Sequence, residues 1–406
     1  MSPVSVRLTT RRSDYAELAG LFFLQSMASG MWLVPMSTVL KGGGLSSLTP
    51  YAFATTGAAA FLSPLLFGAI ADRHASPTLV LRWLAVAAAA TMAVVMTAIH
   101  RAWSPWVVLG LIQLQALCSV PTSSIASAII FSRLRDSQAE FGLVRVWATL
   151  GWMCGCWLIS ALNADASTVA GVADAAVWLL VAAFTFRLRT VEPQRSTGSR
   201  TLLQHLGWDT LSLLKNHDHR VVIITVALLS LPLAAFYPFT PSHLAYLGLT
   251  HTTAWMTLGQ ASEIVGMLSL AAVLARCRLK WIFATGLTFG VLRFALCALN
   301  RRIPVLAGVS MHGFSLVFVI ITAQVYVDQR VDPSWRARAQ ALVYLMSSGL
   351  GNFLGYLGTG WWLGACTSGG RADWTVFWGG LSAAVGAVFL YFVLAYQGRK
   401  ARPEVT

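Results

Sequence analysis

Long apolar runs are the feature that most constrains this chain. Segments of about 18 to 25 mostly uncharged residues recur along its whole length, and each can cross a hydrocarbon core ~30 Å thick as a helix. Such runs predict helices rather than the short alternating strands of a membrane barrel. The composition agrees, since 56% of the 406 residues are hydrophobic and only 11% are charged. A chain with so little polar surface is an integral membrane protein.

The runs form two sets of six on either side of a polar stretch. The predicted spans are residues 16–38, 49–70, 79–99, 106–131, 142–162, 169–187, 221–247, 254–274, 281–299, 304–327, 338–363 and 374–396. The predicted fold is all-α with twelve transmembrane helices. It comprises a six-helix bundle at 1–187, a cytoplasmic linker at 188–220, a second bundle at 221–396 and a cytoplasmic tail at 397–406. Two six-helix repeats around a central site are typical of secondary transporters. Kinks are predicted at the prolines within the spans, which are Pro35, Pro64, Pro121, Pro232 and Pro238.

Basic residues are distributed unevenly between the two sides of the membrane. With both termini inside, the Lys and Arg residues on the outer side are Lys41, Arg101, Arg301, Arg302 and Arg371. Arg145 and Arg293 fall within spans, and the rest of the 29 lie inside, which is the positive-inside pattern. The basic residues behind the net charge of +14 are therefore predicted to set the orientation in the membrane and to contact membrane lipid. They do not indicate a nucleic-acid-binding surface. We expect a monomer in a bacterial inner membrane, with both termini cytoplasmic.

Two charged residues interrupt consecutive apolar spans. Glu263 and Arg293 fall at a similar predicted depth, where a charge costs at least about 2.5–3.5 kcal/mol on insertion scales. We expect both side chains to face a bundle interior or a watery cavity, where they could meet. Such a pair is either a substrate or proton site, or a structural ion pair that pins two helices together.

The patterns of other functional classes are missing from the sequence. Four of the six cysteines lie within predicted spans, while Cys277 and Cys366 fall near opposite membrane faces, so neither a disulfide framework nor a metal site follows. We find no nucleophile triad and no phosphate-binding loop. The chain is therefore predicted not to be an enzyme, and no metal or cofactor is expected.

A short charged motif separates the second and third spans. Its sequence runs Phe-Gly-Ala-Ile-Ala-Asp-Arg and contains Gly68, Asp72 and Arg73. It resembles the cytoplasmic Gly-x-x-x-Asp-Arg motif of the major facilitator superfamily. In that superfamily the charged turn braces neighbouring helix ends in one conformational state.

Longer blocks resemble the nucleoside:proton symporter family within that superfamily. They include Gly30 to Pro35 in the first span, Leu143 to Trp152 in the fifth, Gly259 to Glu263 in the eighth, Leu292 to Leu296 in the ninth and Met311 to Phe314 in the tenth. The blocks run in order across nearly the whole chain, so together they are far more specific than any one alone. The resemblance implies a major facilitator fold and proton-driven uptake of nucleosides by alternating access.

The resemblance also implies a nucleoside pocket. It assigns Arg145, Thr149 and Trp152 to one wall, with Gln260 and Glu263 opposite. The first three are spaced i, i+4, i+7 and share one helical face. Ribose hydroxyls suit a carboxylate and an amide, whereas a base suits an aromatic wall.

Further pocket residues are less firmly placed by the resemblance. Trp32 could stack on a base, or it could face lipid or pack in the core. Tyr237 and Ala234 stand where the family has a polar pair on helix seven. Arg145 lies near the inner end of its span and could instead extend its charge to the interface.

Proton coupling is expected to involve Glu263, Arg293 and His312. His312 matches a histidine of relatives and is either a proton relay or a hydrogen-bonded packing residue. Some family members carry an aspartate five residues later, where this chain has Val317. Glu263 is then the obvious protonatable carboxylate at depth.

We therefore predict a secondary transporter that couples nucleoside uptake to protons. One alternative is a major facilitator transporter of another small polar solute, such as an oligosaccharide or an aromatic acid. Another is a non-transporting membrane sensor, suggested by the absent acid at Val317.

Overall fold

The computed structural model describes residues 10–71, 76–135, 137–188, 208–332 and 335–398, which are largely helical. Asp72 and Arg73 of the predicted cytoplasmic motif lie outside the described residues, as do most of the predicted linker and the end of the tail. The chain divides into two compact units. The first unit is Met1–Ser199 with His251–Ala254, and the second unit is Arg200–Thr250 with Trp255–Thr406. The predicted bundle boundaries stay predictions.

Helices make up nearly all of the described chain. The first half contains α1 (Arg12–Leu33), α2 (Met36–Gly42), α3 (Thr49–Ala71), α4 (Pro77–His100), α5 (Pro105–Arg133), α6 (Ser137–Ala161) and α7 (Val169–Phe184), with a 3₁₀ turn at Ser46–Leu48. The second half contains α8 (His217–Leu233), α9 (Phe236–Tyr246), α10 (Thr252–Trp255), α11 (Thr257–Arg276), α12 (Leu279–Ala298), α13 (Arg302–Ser310), α14 (His312–Ser315), α15 (Thr322–Arg330), α16 (Arg336–Tyr344), α17 (Leu350–Ala365) and α18 (Trp374–Ala395). A 3₁₀ segment covers Trp208–Lys215, and β1 (Thr367–Ser368) pairs antiparallel with β2 (Arg371–Ala372).

Nine stretches within the described residues are long and apolar enough to cross a membrane. They are Arg12–Gly42, Pro77–His100, Pro105–Arg133, Glu140–Ala161, His217–Tyr246, Thr252–Arg276, Leu279–Ala298, Arg302–Arg330 and Trp374–Ala395. The other three predicted spans fall on α3, on the shorter α7, and on α16 with α17. The protein is thus a multi-pass helical membrane protein, and the count of twelve spans stays a prediction.

Proline marks two of the helix interruptions. Pro35 lies between α1 and α2, and Pro232 lies in the last turn of α8, just before the break that precedes α9. A proline ring removes one helical N–H and clashes with the carbonyl four residues earlier, so the helix ends or bends there. Pro121, by contrast, lies inside the continuous helix α5.

Two further irregularities are π-helical. Residues Leu316–Ile321 and Leu345–Gly349 adopt this wider winding between α-helical segments. Single π-turns within α-helices occur frequently at functional sites. The first of them begins four residues after His312, which places it beside the predicted coupling residues.

Glycine allows helices to approach closely in the first unit. A Cβ at Gly151 of α6 would collide with the backbone of Phe23 in α1, and one at Gly155 would lie 2.5 Å from the carbonyl oxygen of Met27.

Several large apolar side chains are exposed in both halves of the chain, among them Trp83, Trp106, Trp281, Trp361 and Leu394. Exposed apolar surface on this scale fits a lipid environment rather than water.

Candidate functional site

The second unit brings several predicted residues together on four neighbouring helices. Tyr237 lies on α9, Gln260 and Glu263 lie on α11, Arg293 lies on α12, and His312 begins α14. Helix α14 packs against both α11 and α12. We call Phe236, Tyr237, Gln260, Arg293 and His312 the polar cluster of the second unit.

Small residues explain why α11 and α14 lie so close. A Cβ at Gly313 would collide with the backbone of Glu263, and the N–H of Gly313 donates to Ser262 Oγ at 3.0 Å. A Cβ at Gly259 would lie 3.1 Å from the ring of Phe236 and 3.3 Å from Cβ of His312. The sequence Gly-Gln-Ala-Ser-Glu thus supplies both the contact surface and the functional side chains.

Arg293 and His312 form a hydrogen bond in the centre of the polar cluster. Nη1 of Arg293 contacts Nδ1 of His312, and both side chains are buried. Because a guanidinium has donors and no acceptor, Nδ1 is the acceptor and carries no proton. The imidazole stacks on Phe236, with ring centres 3.7 Å apart and planes at 10°.

The charge of Arg293 also lies over two aromatic rings. Its Cζ is 4.8 Å from the centre of Phe236 and 4.5 Å from that of Phe294. Such cation–π contacts stabilise a desolvated cation by about 2 kcal/mol or more. The charge is therefore held by His312 and by ring faces.

The contact that Glu263 and Arg293 could have made is not formed in this structure. The hydrogen-bonding partner of Arg293 is His312, and no carboxylate of the described residues lies within ion-pair distance of the guanidinium. The reason is the packing order, because α14 contacts both α11 and α12 and supplies the side chain that reaches Arg293. Glu263 is itself partly exposed and has other interactions.

Gln260 has a defined orientation. Its Nε2 donates to the hydroxyl of Tyr237 at 3.0 Å, which leaves the amide oxygen as an acceptor. That oxygen is buried and has no hydrogen-bond partner among the described residues, and the same holds for Nε of Arg293 and Oγ of Ser315. An unsatisfied buried polar atom costs about 1–3 kcal/mol, so each calls for a polar partner. The cluster thus presents a hydrogen-bond acceptor, on Gln260, and donors, on Arg293 and Ser315, to a polar ligand.

Val317 occupies the position where some relatives have an acid. It is wholly buried, its side chain faces Gly266 of α11, and it belongs to an apolar cluster with Leu270 and Phe318. This position therefore contributes packing to the chain and no charge.

The residues predicted on the first unit lie on α1 and α6. Arg145, Thr149 and Trp152 lie along α6, where Arg145 is exposed and the other two are partly buried. Trp152 packs on Gly30, since a Cβ there would lie 3.1 Å from Cγ of the indole. Trp32, two residues further along α1, is buried. In the cytoplasmic motif, Gly68 lies within α3.

Sequence reasoning missed Phe236. This ring stacks on His312, faces Arg293 and contacts Tyr237 edge-on at 5.0 Å. Its position directly before Tyr237, at the start of a helix that follows a proline interruption, was a usable signal.

Comparisons of the sequence with known proteins give one consistent answer. The pattern of a family described as nucleoside H⁺ symporter matches residues 14–401. YegT of Escherichia coli (strain K12) is 30% identical over 355 residues, which cover 84% of this chain and 82% of YegT. Nucleoside permease NupG of the same organism is 26% identical over 385 residues, which cover 89% of this chain and 91% of NupG.

Solved structures agree with the sequence comparisons. The crystal structure of nucleoside transporter NupG matches with a TM-score of 0.84 at 23% identity, covering 95% of this chain and 99% of that chain. A bacterial homolog to the human lysosomal transporter Spinster, inward-facing and unoccupied, matches with a TM-score of 0.69 at 14% identity, covering 95% of each chain. At these identities the likeness shows a shared fold.

Proposed function

Because the chain belongs to the nucleoside H⁺ symporter family of the major facilitator superfamily, we propose that it takes up nucleosides together with protons by alternating access. It is a membrane transporter and not an enzyme. In the proposed mechanism, a twelve-helix fold rocks residues 1–187 against residues 221–396. The observation that supports it best is the polar cluster of the second unit, where buried donors and a buried acceptor stand beside aromatic rings.

The cluster suits the chemistry of a nucleoside. A base carries N–H and C=O groups on its edge, and a ribose carries hydroxyls that both donate and accept. The amide oxygen of Gln260 can accept from an N–H or a hydroxyl, while Nε of Arg293 can donate to a carbonyl. We assign Tyr237 the role of fixing the Gln260 amide. A site that hydrogen-bonds its substrate in this way strongly rejects analogues that lack the matching group.

The first unit supplies the remaining proposed contacts. Trp152 and Trp32 provide aromatic surface for a base, and Thr149 provides a hydroxyl on the same face of α6 as Trp152. Arg145 provides a cation near the inner end of that face.

Glu263 is the proposed coupling carboxylate. It is partly exposed at the α11–α14 contact, so it can exchange protons with water. The Arg293–His312 pair is proposed to stay fixed, because protonating Nδ1 would break its hydrogen bond and oppose two cations. A membrane potential of 100 mV supplies ~2.3 kcal/mol per charge moved, which is enough to drive accumulation.

The proposed setting is a bacterial inner membrane with both termini cytoplasmic. The supporting observation is the excess of Lys and Arg on one side of the predicted spans. We propose that the protein works as a monomer, with its basic inner face in contact with anionic lipid.

Uptake into proteoliposomes tests the proposal. Purified protein should accumulate labelled uridine and adenosine when an inward proton gradient is imposed, and a protonophore should abolish accumulation. An unlabelled oligosaccharide or aromatic acid should not compete. Competition by such a solute would redirect the substrate assignment, and binding without flux would favour the sensor alternative.

A further inference from the structure

Asp174 is a carboxylate that the proposed mechanism does not use and that the sequence analysis overlooked. It lies in α7, a helix that is otherwise apolar. Its side chain is 0% exposed, and neither carboxylate oxygen accepts a hydrogen bond of standard geometry from the described residues, although the indole N–H of Trp178 faces the group. No other aspartate of the described chain is buried in this way with both oxygens unpartnered.

The surroundings of Asp174 are apolar. Helix α7 packs against α1 and α4. One turn before Asp174, a Cβ at Gly171 would collide with the side chain of Met96 in α4, and one turn after it Trp178 is almost fully buried. Asp174 therefore lies about 7 Å along α7 from its first residue, inside the packed helices.

Charged groups on the neighbouring helices lie at other levels. The titratable or charged residues are Arg82 and His100 on α4, and Arg12, Asp14, Tyr15 and Glu17 on α1. Arg82 donates to Thr185 at 2.9 Å, eleven residues or about 16 Å from Asp174 along the helix. His100 is exposed at the end of α4. On α1, Gly20 packs on Phe184, so the charged residues that precede it lie beyond the far end of α7.

An ionised carboxylate in this place would cost several kcal/mol, because no cation of the described chain lies beside it and the indole N–H of Trp178 offsets its desolvation only in part. The neutral acid also leaves a polar group unsatisfied, at about 1–3 kcal/mol. An apolar residue would pack there at lower cost. An aspartate at this position is therefore explained better by a change in its environment during the transport cycle than by packing alone.

We propose that Asp174 is a proton-binding site of the transport cycle, separate from Glu263. When water from the end of α7 where Val169 lies reaches the carboxylate, an O–H bond of a hydronium ion breaks and an O–H bond forms on Asp174. When α7 moves and water reaches the group again, the O–H bond of the acid breaks and a water molecule takes the proton as hydronium. The inference rests on the proposed function for its place in the cycle. It gives each half of the chain one proposed proton-binding carboxylate, while Val317 contributes none.

Infrared spectroscopy tests the proton site without any substrate. Protein labelled with carbon-13 in its aspartate carboxyl groups is reconstituted in lipid, and the carbonyl stretch of neutral acids is followed from about pH 5 to about pH 9. An aspartic-acid band at neutral pH that is lost at high pH and is absent in Asp174→Asn supports the proposal. A band that never titrates, or no band at all, overturns it. If Asp174→Asn misfolds, Asp174→Glu gives the assignment, because its acid carries no aspartate label and the band should again be lost.

The ratio of protons to nucleoside tests its role in transport. Asp174→Asn should lower the ratio by one proton per nucleoside, and Asp174→Glu should keep it. The control is Asp373→Asn, an exposed helix cap that should leave the ratio unchanged. An unchanged ratio in Asp174→Asn overturns the coupling role. If the wild type carries no nucleoside, the proposed function fails, and the infrared titration alone decides the proton site.

Discussion

Arg293 donates a hydrogen bond to Nδ1 of His312 at a site where the arginine is only 1% exposed. Neutral imidazole then keeps its hydrogen on Nε2. A proton on Nδ1 would remove the acceptor and place two cations side by side in a desolvated site. His312 therefore holds the guanidinium in position, and this role accounts for its burial better than proton relay.

Replacement of His312 separates these two roles. His312→Asn offers an amide oxygen near the position of Nδ1 and should keep proton-coupled uptake. His312→Leu leaves a buried charged donor unpaired and should lower the free energy of unfolding by about 1.5–3 kcal/mol. Thermal unfolding in detergent and gradient-driven uptake measure the two effects. Downhill uridine entry without proton coupling in His312→Asn would restore the relay role.

Tyr237 is expected to act on substrate affinity through Gln260. Tyr237→Phe removes the oxygen that fixes the amide, at a cost of about 1–1.5 kcal/mol, so the KM for uridine should rise roughly five- to tenfold with little change in kcat. The control is Tyr246→Phe, an exposed tyrosine on the same helix. Initial uptake rates over a range of uridine concentrations give both constants. If Tyr237→Phe and Tyr246→Phe had the same KM and kcat, the orientation of the Gln260 amide would not contribute to substrate binding.

The contact between α11 and α14 should tolerate no added atom. Gly313→Ala places a methyl group against the backbone of Glu263 and should destabilise the protein by about 1–3 kcal/mol. Gly358→Ala in α17, where a Cβ meets nothing within 4 Å, should be neutral or mildly stabilising. Thermal unfolding compares the two. Similar stabilities would mean that the helices separate easily at this point.

Cysteine labelling tests the orientation in the membrane. Cys277 is exposed at the end of α11, on the predicted inner side, so an impermeant maleimide should label a variant containing only Cys277 after permeabilisation and not in intact cells. Labelling of Cys277 in intact cells would invert the topology.

Cys366 provides the matched probe on the opposite face. Burial raises the pKa of its thiol above the ordinary value, and Asp373 raises this pKa further. Because the thiolate is the reacting form, labelling of intact cells should be slow at neutral pH and should accelerate as the pH rises. A rate that does not change with pH would contradict the raised pKa.

Much of this fold follows from sequence because membrane spans are encoded locally. The runs around Pro77–His100 and Leu279–Ala298 are recognisable from length and apolarity alone. The interruptions at Pro35 and Pro232 follow from the missing N–H of proline. Local signals of this kind need no knowledge of the neighbouring helices.

The partners within the site do not follow from the sequence in the same way. Glu263 and Arg293 share a predicted depth and could have met, yet the lateral order of the helices places His312 against Arg293. Asp174 was overlooked because one acid in an apolar span shows its burial only after α1 and α4 are packed around α7. The depth of a residue in the membrane can be estimated from its own helix, whereas the contact of Arg293 depends on how α11, α12 and α14 pack together.

Proton movement that depends on nucleoside tests the central claim most directly. Proteoliposomes without an imposed gradient carry a pH-sensitive dye inside, and uridine is added outside. We predict internal acidification with wild-type protein, none with Glu263→Gln, and retained exchange of labelled for unlabelled uridine in that variant. Uridine entry into wild-type vesicles without acidification would contradict proton symport, and full acidification in Glu263→Gln would remove Glu263 from the coupling.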